Sequence, residues 1–342
     1  MCILLLVWGG APWSASQLRA AGTGSNAQVV AVDELLAAVL AATQAAGAEV
    51  VAVAASQRLG TRLKQGDQSS GPVTSADLRS DEVLVSRLRS AFPSVRLVSE
   101  EENERQKTST GAARERSASR ASLPPAGERI LGVALPRMEV AASSVRVWLD
   151  PLDATKEFTQ GLNQFVSVMG CVAVDGRPAA GVIHFPFLGK TVWGVSPALA
   201  GARGGGIVGT RPAPAPPAAG VPGRPLRFVV SRSHTGKAGS SVEALGALDV
   251  VEAGGSGFKV VELLEGRADA YVHTSPIMKW DLCAGDAVLR ASGGALTGLR
   301  GEDVDYADVS SPRVSSGVLA ALYGHEDLVA RSGRASLAPS PS

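Results

Sequence analysis

Aromatic residues make up only 4 % of this 342-residue chain, which leaves few platforms on which single-stranded bases could stack. Charge of one sign is also lacking. Lys and Arg number 33 against 32 Asp and Glu, a net charge of +1, so no global field selects nucleic acid or an anionic membrane. Cysteine occurs three times, at Cys2, Cys171 and Cys283, which builds no disulfide framework. Cys171 and Cys283 fall in apolar runs, where buried free thiols are the expectation, and the redox compartment stays open. The apolar run from Cys2 to Trp8 is cut short by Gly9, Gly10 and Pro12, well below the roughly 20 residues that span a bilayer. No Lys or Arg precedes it, while Ser14-Ala15-Ser16 and Ala20-Ala21-Gly22 offer small residues for a signal-peptidase cut. Residues 1–28 are accordingly expected to be a signal sequence, a shortened anchor or the product of an incorrect start.

What is present is enough apolar sequence, 45 % of residues, for a large core. The chain is organised around Trp148-Leu149-Asp150-Pro151-Leu152-Asp153-Ala154-Thr155. Val145 to Val147 reads as the end of a strand, and Pro151 predicts a turn just after Asp150. Asp150, Asp153 and the Leu152 carbonyl then form an oxygen-only set suited to a hard cation such as Mg²⁺. A helix opening at Ala154-Thr155 would turn its free N–H groups toward an anion. A cation and a phosphate side by side is the layout of a metal-assisted phosphoryl hydrolase. The plainer reading makes Asp150-Pro151 a surface turn and Asp153 a helix N-cap.

Other stretches supply company for that motif. Val29 to about Ala55 predicts a long helix packed between layers, and Leu78 to Ala91 a second helix stopped by Pro93. Val95 to Val98 is a strand ending at Ser99-Glu100-Glu101, and the carboxyl ends of strands are where open α/β sheets place ligands. Residues 103–129, rich in Arg and Ser without a period, are expected to be a mobile insertion rather than an RNA-binding patch. Phe165 to Val195 predicts an antiparallel meander with a hairpin at Asp175-Gly176. Gly189-Lys190-Thr191 is no P-loop, because His184 stands where the first glycine is required. The Pro/Ala/Gly-rich segment 196–225 is expected to be a loop separating a metal-binding part, 29–195, from a substrate-binding part, 226–331. Beyond it come a strand reaching Ser231-Arg232-Ser233-His234 and a glycine cluster, Gly254-Gly255, before a helix carrying Lys259. Asp281 sits at the start of another helix, where capping is the plainer role. Val318 to Leu328 is expected to close the fold as a helix, and 332–342 to be a disordered tail.

Four of these pieces, in this order, resemble the lithium-sensitive, magnesium-dependent phosphatase superfamily that includes inositol monophosphatase and the bisphosphate nucleotidases. They are Pro72-Val73-Thr74-Ser75-Ala76-Asp77, Ser99-Glu100-Glu101, Trp148 to Thr155, and Trp280-Asp281-Leu282-Cys283-Ala284-Gly285. Lys156-Glu157-Phe158, Val229 to His234 and Lys279-Trp280-Asp281 look most like 3′(2′),5′-bisphosphate nucleotidases. Ala154, where Gly is more usual, and Val182-Ile183-His184 look like the Golgi-resident members that act on 3′-phosphoadenosine 5′-phosphate. The resemblance implies an α/β (α+β) fold, a layered α-β-α-β-α sandwich of the inositol monophosphatase and fructose-1,6-bisphosphatase type. It implies two or three Mg²⁺ held by Glu100, Asp150, the Leu152 carbonyl, Asp153 and Asp281, with Li⁺ as an inhibitor. Asp77 and Thr155 would orient or deprotonate the attacking water, assisted by Glu101. Ala154, Thr155, Ser231, His234, Gly255, Lys259 and Asp281 would hold the substrate, an adenosine bisphosphate.

The expected activity is release of the 3′-phosphate to give AMP. An inositol phosphate phosphatase and a non-catalytic binding protein on the same scaffold are the alternatives. The partner is a small molecule and not a nucleic acid; a weak membrane anchor and a homodimer are compatible with the sequence. The expected location is the Golgi or secretory-pathway lumen, with the cytoplasm as the alternative.

Overall fold

The computed structural model describes residues 28–63, 71–108, 137–196, 204–208, 226–232, 242–243 and 245–334. The expected leader, most of the 103–129 insertion and His234 lie outside the described residues.

Two helices form the first layer. Helix α1, Val32–Ser56, follows a short strand, Val29–Ala31, and ends where Gln57 turns left-handed at φ 54°. It is long and apolar enough to cross a membrane by length and composition. Its Leu35, Leu36, Val39, Leu40 and Val50 are nonetheless fully buried, facing the first sheet and the neighbouring helix, so it lies in an outer layer and not between layers as expected. Helix α2, Ser75–Ala91, starts three residues before the expected Leu78 because Thr74 and Asp77 form a capping box.

The second layer is a six-stranded sheet: β1, Arg96–Ser99; β2, Val145–Asp153; β3, Ser167–Val174; β4, Arg177–Phe185; β5, Lys190–Val195; and β6, Gly204–Val208. They lie in sequence order across the sheet, antiparallel except for the parallel pair β1–β2. The meander and its Asp175-Gly176 hairpin are as expected, with both turn residues at positive φ. Two expectations need correction. The chain does not turn after Asp150: β2 continues to Asp153 through an irregularity in its pairing with β3. The 196–225 segment is not wholly loop, since Gly204–Val208 adds the edge strand β6. At the other edge, helix α3, Glu100–Thr108, begins directly at the end of β1 and makes the first residues of the expected insertion helical.

After β2 comes the short helix α4, Thr155–Thr159. The second sheet has strand order β8-β7-β9-β11-β10, where β7 is Leu226–Ser231, β8 Ala247–Ala253, β9 Ala270–His273, β10 Ala295–Gly298 and β11 Val318–Ala321. The expected closing helix from Val318 is therefore a strand, paired with both β9 and β10. Four apolar residues read as either state alone, and the two open edges beside them decide. Helices α5, Ser256–Leu264, and α6, Lys279–Ala291, fill the space between the sheets. Helix α7, His325–Arg334, packs Leu328 on the far face and extends into the expected tail.

This is the expected α-β-α-β-α sandwich, with apolar clusters on both faces of each sheet. Close approach of α6 to the first sheet depends on glycine. A Cβ at Gly181 would lie 2.5 Å from the Ala284 carbonyl oxygen, and one at Gly194 2.6 Å from the Ala291 Cβ. The same contact joins Cys171 of β3 to Cys283 of α6 in a disulfide, Cα–Cα 5.7 Å. The expectation of free thiols is thus overturned. The two cysteines are 112 residues apart in sequence, and only the docking of helix on sheet brings them together.

Candidate active site

The carboxyl ends of β1 and β2, the start of α2 and the N-termini of α5 and α6 converge on one acidic cluster. Asp77 enters from the first turn of α2 and is buried. One of its oxygens closes the capping box, accepting from the Thr74 N–H at 2.7 Å and the Thr74 hydroxyl at 2.6 Å. The other accepts from Thr155 Oγ1 at 2.9 Å. Burial pushes the Asp77 carboxyl up to about 6; the Thr74 bonds work against this and the charge of Glu101 adds to it. Thr155 Oγ1 is also 2.9 Å from the Leu152 carbonyl, so its single proton serves one acceptor at a time. A bond from Ser80 Oγ to the Pro151 carbonyl, 2.6 Å, ties α2 to the same stretch of β2.

Asp150 and Asp153 lie at the end of β2, both buried. Asp150 Oδ1 accepts from the Leu152 N–H at 3.1 Å, an Asx-type bond that fixes the strand's irregularity. Asp153 is more heavily bound. Its oxygens accept from Ser256 N at 3.0 Å, Gly257 N at 2.8 Å and Ser167 Oγ at 3.1 Å. The glycine-flanked start of α5 therefore does meet an anion, and that anion is this chain's own carboxylate. Burial raises the Asp153 pKa, and the nearby Lys259 charge is the largest influence against it. Gly255 holds φ at +68°, and a Cβ there would stand 2.7 Å from the Phe165 carbonyl and 2.9 Å from Asp153 Oδ2. Backbone conformation and space both require glycine at this position.

Asp281 lies in the first turn of α6 and accepts from the Met278 N–H at 3.1 Å, so the capping role is real. It is also a strongly perturbed acid. Burial, then the charges of Glu100 and Asp153, push it up to about 8, against a hydrogen bond with Asp150. Lys259 is buried in α5 and donates to the Gly255 carbonyl at 2.5 Å. Burial lowers its pKa to about 8, opposed by Asp153, Glu157 and Asp281.

The structure thus gathers Asp77, Glu100, Glu101, Asp150, Asp153, Ala154, Thr155, Gly255, Lys259 and Asp281. Ser231 stands one strand away: its Oγ is 3.0 Å from His273 Nδ1, whose Nε2 is 3.2 Å from Ser275 Oγ. His234, beyond the described residues, is not assigned a place. Four residues that act on these groups were given no role in the sequence. Thr74 carries a legible signal, the Thr-x-x-Asp capping pattern, and Glu157, whose charge acts on Lys259, stands in the Lys156-Glu157-Phe158 motif. Ser167, on Asp153, and His273, on Ser231, carry none, because tertiary contacts alone bring them near.

Among the described residues no three His, Cys, Asp or Glu side chains are already drawn into a closed metal-binding set. The donor chemistry nevertheless fits a hard divalent ion. Every candidate ligand is oxygen, and carboxylates that raise one another's pKa values are short of positive charge. Glu100, Asp150, the Leu152 carbonyl, Asp153 and Asp281 are the groups that could hold such an ion. An acidic cluster of this kind, holding a divalent cation beside a buried lysine and a hydroxyl–carboxylate pair, would be equipped to neutralise a phosphate ester and direct water at it.

Comparison with known proteins bears on this geometry. The model of the inositol monophosphatase family matches residues 32–332. Inositol monophosphatase 3 of Danio rerio is 36 % identical over 315 residues, covering 89 % of this chain and 85 % of that protein. The Golgi-resident adenosine 3′,5′-bisphosphate 3′-phosphatase of Homo sapiens is 36 % identical over 323 residues, covering 91 % and 83 %. Among solved structures, inositol monophosphatase from Anabaena superposes with a TM-score of 0.59 at 18 % identity, covering 90 % of this chain and 98 % of that one. The last of these speaks for the fold, and the family match for the chemistry of phosphate ester hydrolysis. The chain is a phosphatase that belongs to the inositol monophosphatase family.

Proposed function

We propose that this phosphatase removes the 3′-phosphate of adenosine 3′,5′-bisphosphate, giving AMP and phosphate by direct attack of water, with Mg²⁺ as cofactor and Li⁺ as inhibitor. The observation that carries the reading is the Thr155–Asp77 hydrogen bond, 2.9 Å, set among the carboxylates of β1, β2 and α6. While the Thr155 hydroxyl donates its hydrogen bond to Asp77, its oxygen is left to accept a hydrogen bond from water. That bond orients the water, and Asp77, held near 6, is a base matched to neutral pH. Glu101, whose charge acts on Asp77, assists from the start of α3. Glu100, Asp150, the Leu152 carbonyl, Asp153 and Asp281 are the proposed ligands of two or three Mg²⁺. When bound, the ions neutralise the phosphoryl oxygens and make water a better nucleophile near neutral pH. Ala154 and Thr155 border the phosphate to be removed, while Ser231, His234, Gly255 and Lys259 hold the rest of the nucleotide. No covalent phosphoenzyme is required.

The Golgi-resident relatives support the nucleotide reading and a location in the secretory-pathway lumen. The Cys171–Cys283 disulfide supports the same location, since such bonds persist in oxidising compartments. Relatives named for inositol monophosphatase keep an inositol phosphate in play as substrate.

The deciding assay follows phosphate release from adenosine 3′,5′-bisphosphate and from inositol 1-phosphate, with Mg²⁺, with and without Li⁺. Nucleotide-selective, Li⁺-sensitive release is expected, falling by at least about 100-fold in Asp150→Asn. Selective turnover of inositol phosphate would overturn the substrate and keep the site. Turnover of neither by folded, Mg²⁺-supplied protein would leave a binding protein.

A further inference from the structure

A guanidinium with free donors stands at the carboxyl edge of the second sheet. Arg232 follows Ser231, the last residue of β7, and is exposed. Strands β7 and β8 are parallel, and Ser231 lies opposite Ala253, the residue before Gly254-Gly255. Arg232 therefore sits beside the glycines that open α5, at the strand ends where ligands of such sheets gather. Among the described residues it makes no hydrogen bond and no ion pair. Its guanidinium instead lies over the ring of Phe165, 5.7 Å from the centroid.

That ring is a fixed platform. Phe165 is buried and meets the Phe258 ring of α5 edge to face, with centroids 4.9 Å apart; Phe258 in turn meets Phe185 of β4. The Phe165 carbonyl, Asp153 Oδ2 and the Ala154 Cβ all lie within 3.5 Å of where a Cβ of Gly255 would stand. The platform under Arg232 is thus continuous with the wall that borders the phosphate to be removed.

A cation with free donors beside an acidic cluster has two uses. One is to offset the cluster's own charge, but Asp153 already accepts from Ser256, Gly257 and Ser167 and feels the charge of Lys259. Lys259 is itself engaged, since it is buried, donates to the Gly255 carbonyl and is bordered by the charges of Asp153, Glu157 and Asp281. The other use is to meet an anion that arrives with the substrate. A guanidinium presents a planar fork of donors that fits a phosphate bidentately, and resting it on a ring reduces the freedom lost on binding.

We propose that Arg232 is a specificity-determining residue: held over Phe165, it grips the second phosphate of a bisphosphate substrate and sets the preference over the corresponding monophosphate. The inference rests on the nucleotide reading of the site and deepens it.

The test compares adenosine 3′,5′-bisphosphate with adenosine 3′-monophosphate, using the full chain supplied with Mg²⁺, for wild type, Arg232→Gln and Arg232→Lys. The readout is the ratio of kcat/KM for the two substrates, with kcat and KM resolved for each. In Arg232→Gln the ratio is expected to fall by about 10- to 100-fold, the worth of hydrogen bonds to a charged group, and to do so mainly through KM for the bisphosphate. Arg232→Lys keeps the charge and loses the fork, so it is expected to recover part of the preference. A residue that only tuned the field of the cluster would move both substrates together. An unchanged ratio in Arg232→Gln therefore overturns the proposal and leaves the nucleotide reading standing. Wild type that fails to hydrolyse the bisphosphate overturns the nucleotide reading itself, and the role of Arg232 with it.

Discussion

Ala154 shows how a single residue carries the tension between sequence and site. It follows Asp153 directly and adopts φ +70°, the left-handed region where a Cβ meets the neighbouring carbonyl. Thr155 must reach back to Asp77 and the Leu152 carbonyl, and this reversal sets the backbone between them. The sequence marked the position as one where Gly is more usual, and the backbone supplies the reason. Ala154→Gly is expected to stabilise the protein by about 0.5–1 kcal/mol in urea unfolding, since strain relief outweighs the entropy that Gly adds to the unfolded chain. A loss of stability would mean that the Ala154 methyl makes packing contacts worth more than the strain. At this scale the acids were legible because oxygen ligands and turn formers stand in short local patterns. Ser167 and His273, which hold Asp153 and Ser231, were not, because their partners are 14 and 42 residues away.

Elements depend on what lies under them, and α1 is the plainest case. Its Gly47 sits directly over His184 of β4: a Cβ there would come within 2.5 Å of the imidazole Cδ2. His184 Nδ1 is 2.9 Å from Thr191 Oγ1 on the neighbouring strand. Burial lowers the His184 pKa from 6.5 to about 4, so the folded protein keeps the ring neutral through the range in which the unfolded chain takes up a proton. Its contribution is thus present above pH 6.5 and lost as pH falls toward 4, with a full value of about 3 kcal/mol at most. His184→Gln is expected to flatten the acid limb of stability between pH 6.5 and 4, measured as urea midpoint against pH. An unchanged slope would assign the acid sensitivity to other groups. The length and apolar character of α1 were readable in the sequence; that one of its small residues must cap a histidine was not. Val318 to Ala321 makes the complementary point, since a short apolar run takes its state from the strand edges waiting for it.

At the scale of the whole molecule, the middle layer makes the acidic cluster a property of the complete fold. Trp148, Met169 and Ile183 from the first sheet share one apolar cluster with Val229, Tyr271 and Leu282 from the second half of the chain. Sequence could number the layers by resemblance, yet it could not say that this shared core and the disulfide would bind both halves together. The consequence is thermodynamic. Asp150 and Asp153 come from one half and Asp281 from the other, so a cation gripping all three binds only when both halves are folded and docked. Calorimetry is expected to give one cooperative transition whose midpoint rises with Mg²⁺ and returns on chelation. The stabilisation is about 2.7 kcal/mol when free Mg²⁺ is 100 times its dissociation constant. Asp281→Asn should abolish most of that rise while leaving the metal-free transition intact, because it removes a carboxylate that burial and its neighbours already penalise. Two separate transitions, only one of them responsive to Mg²⁺, would instead put the cation within one half and deny α6 its part in holding it.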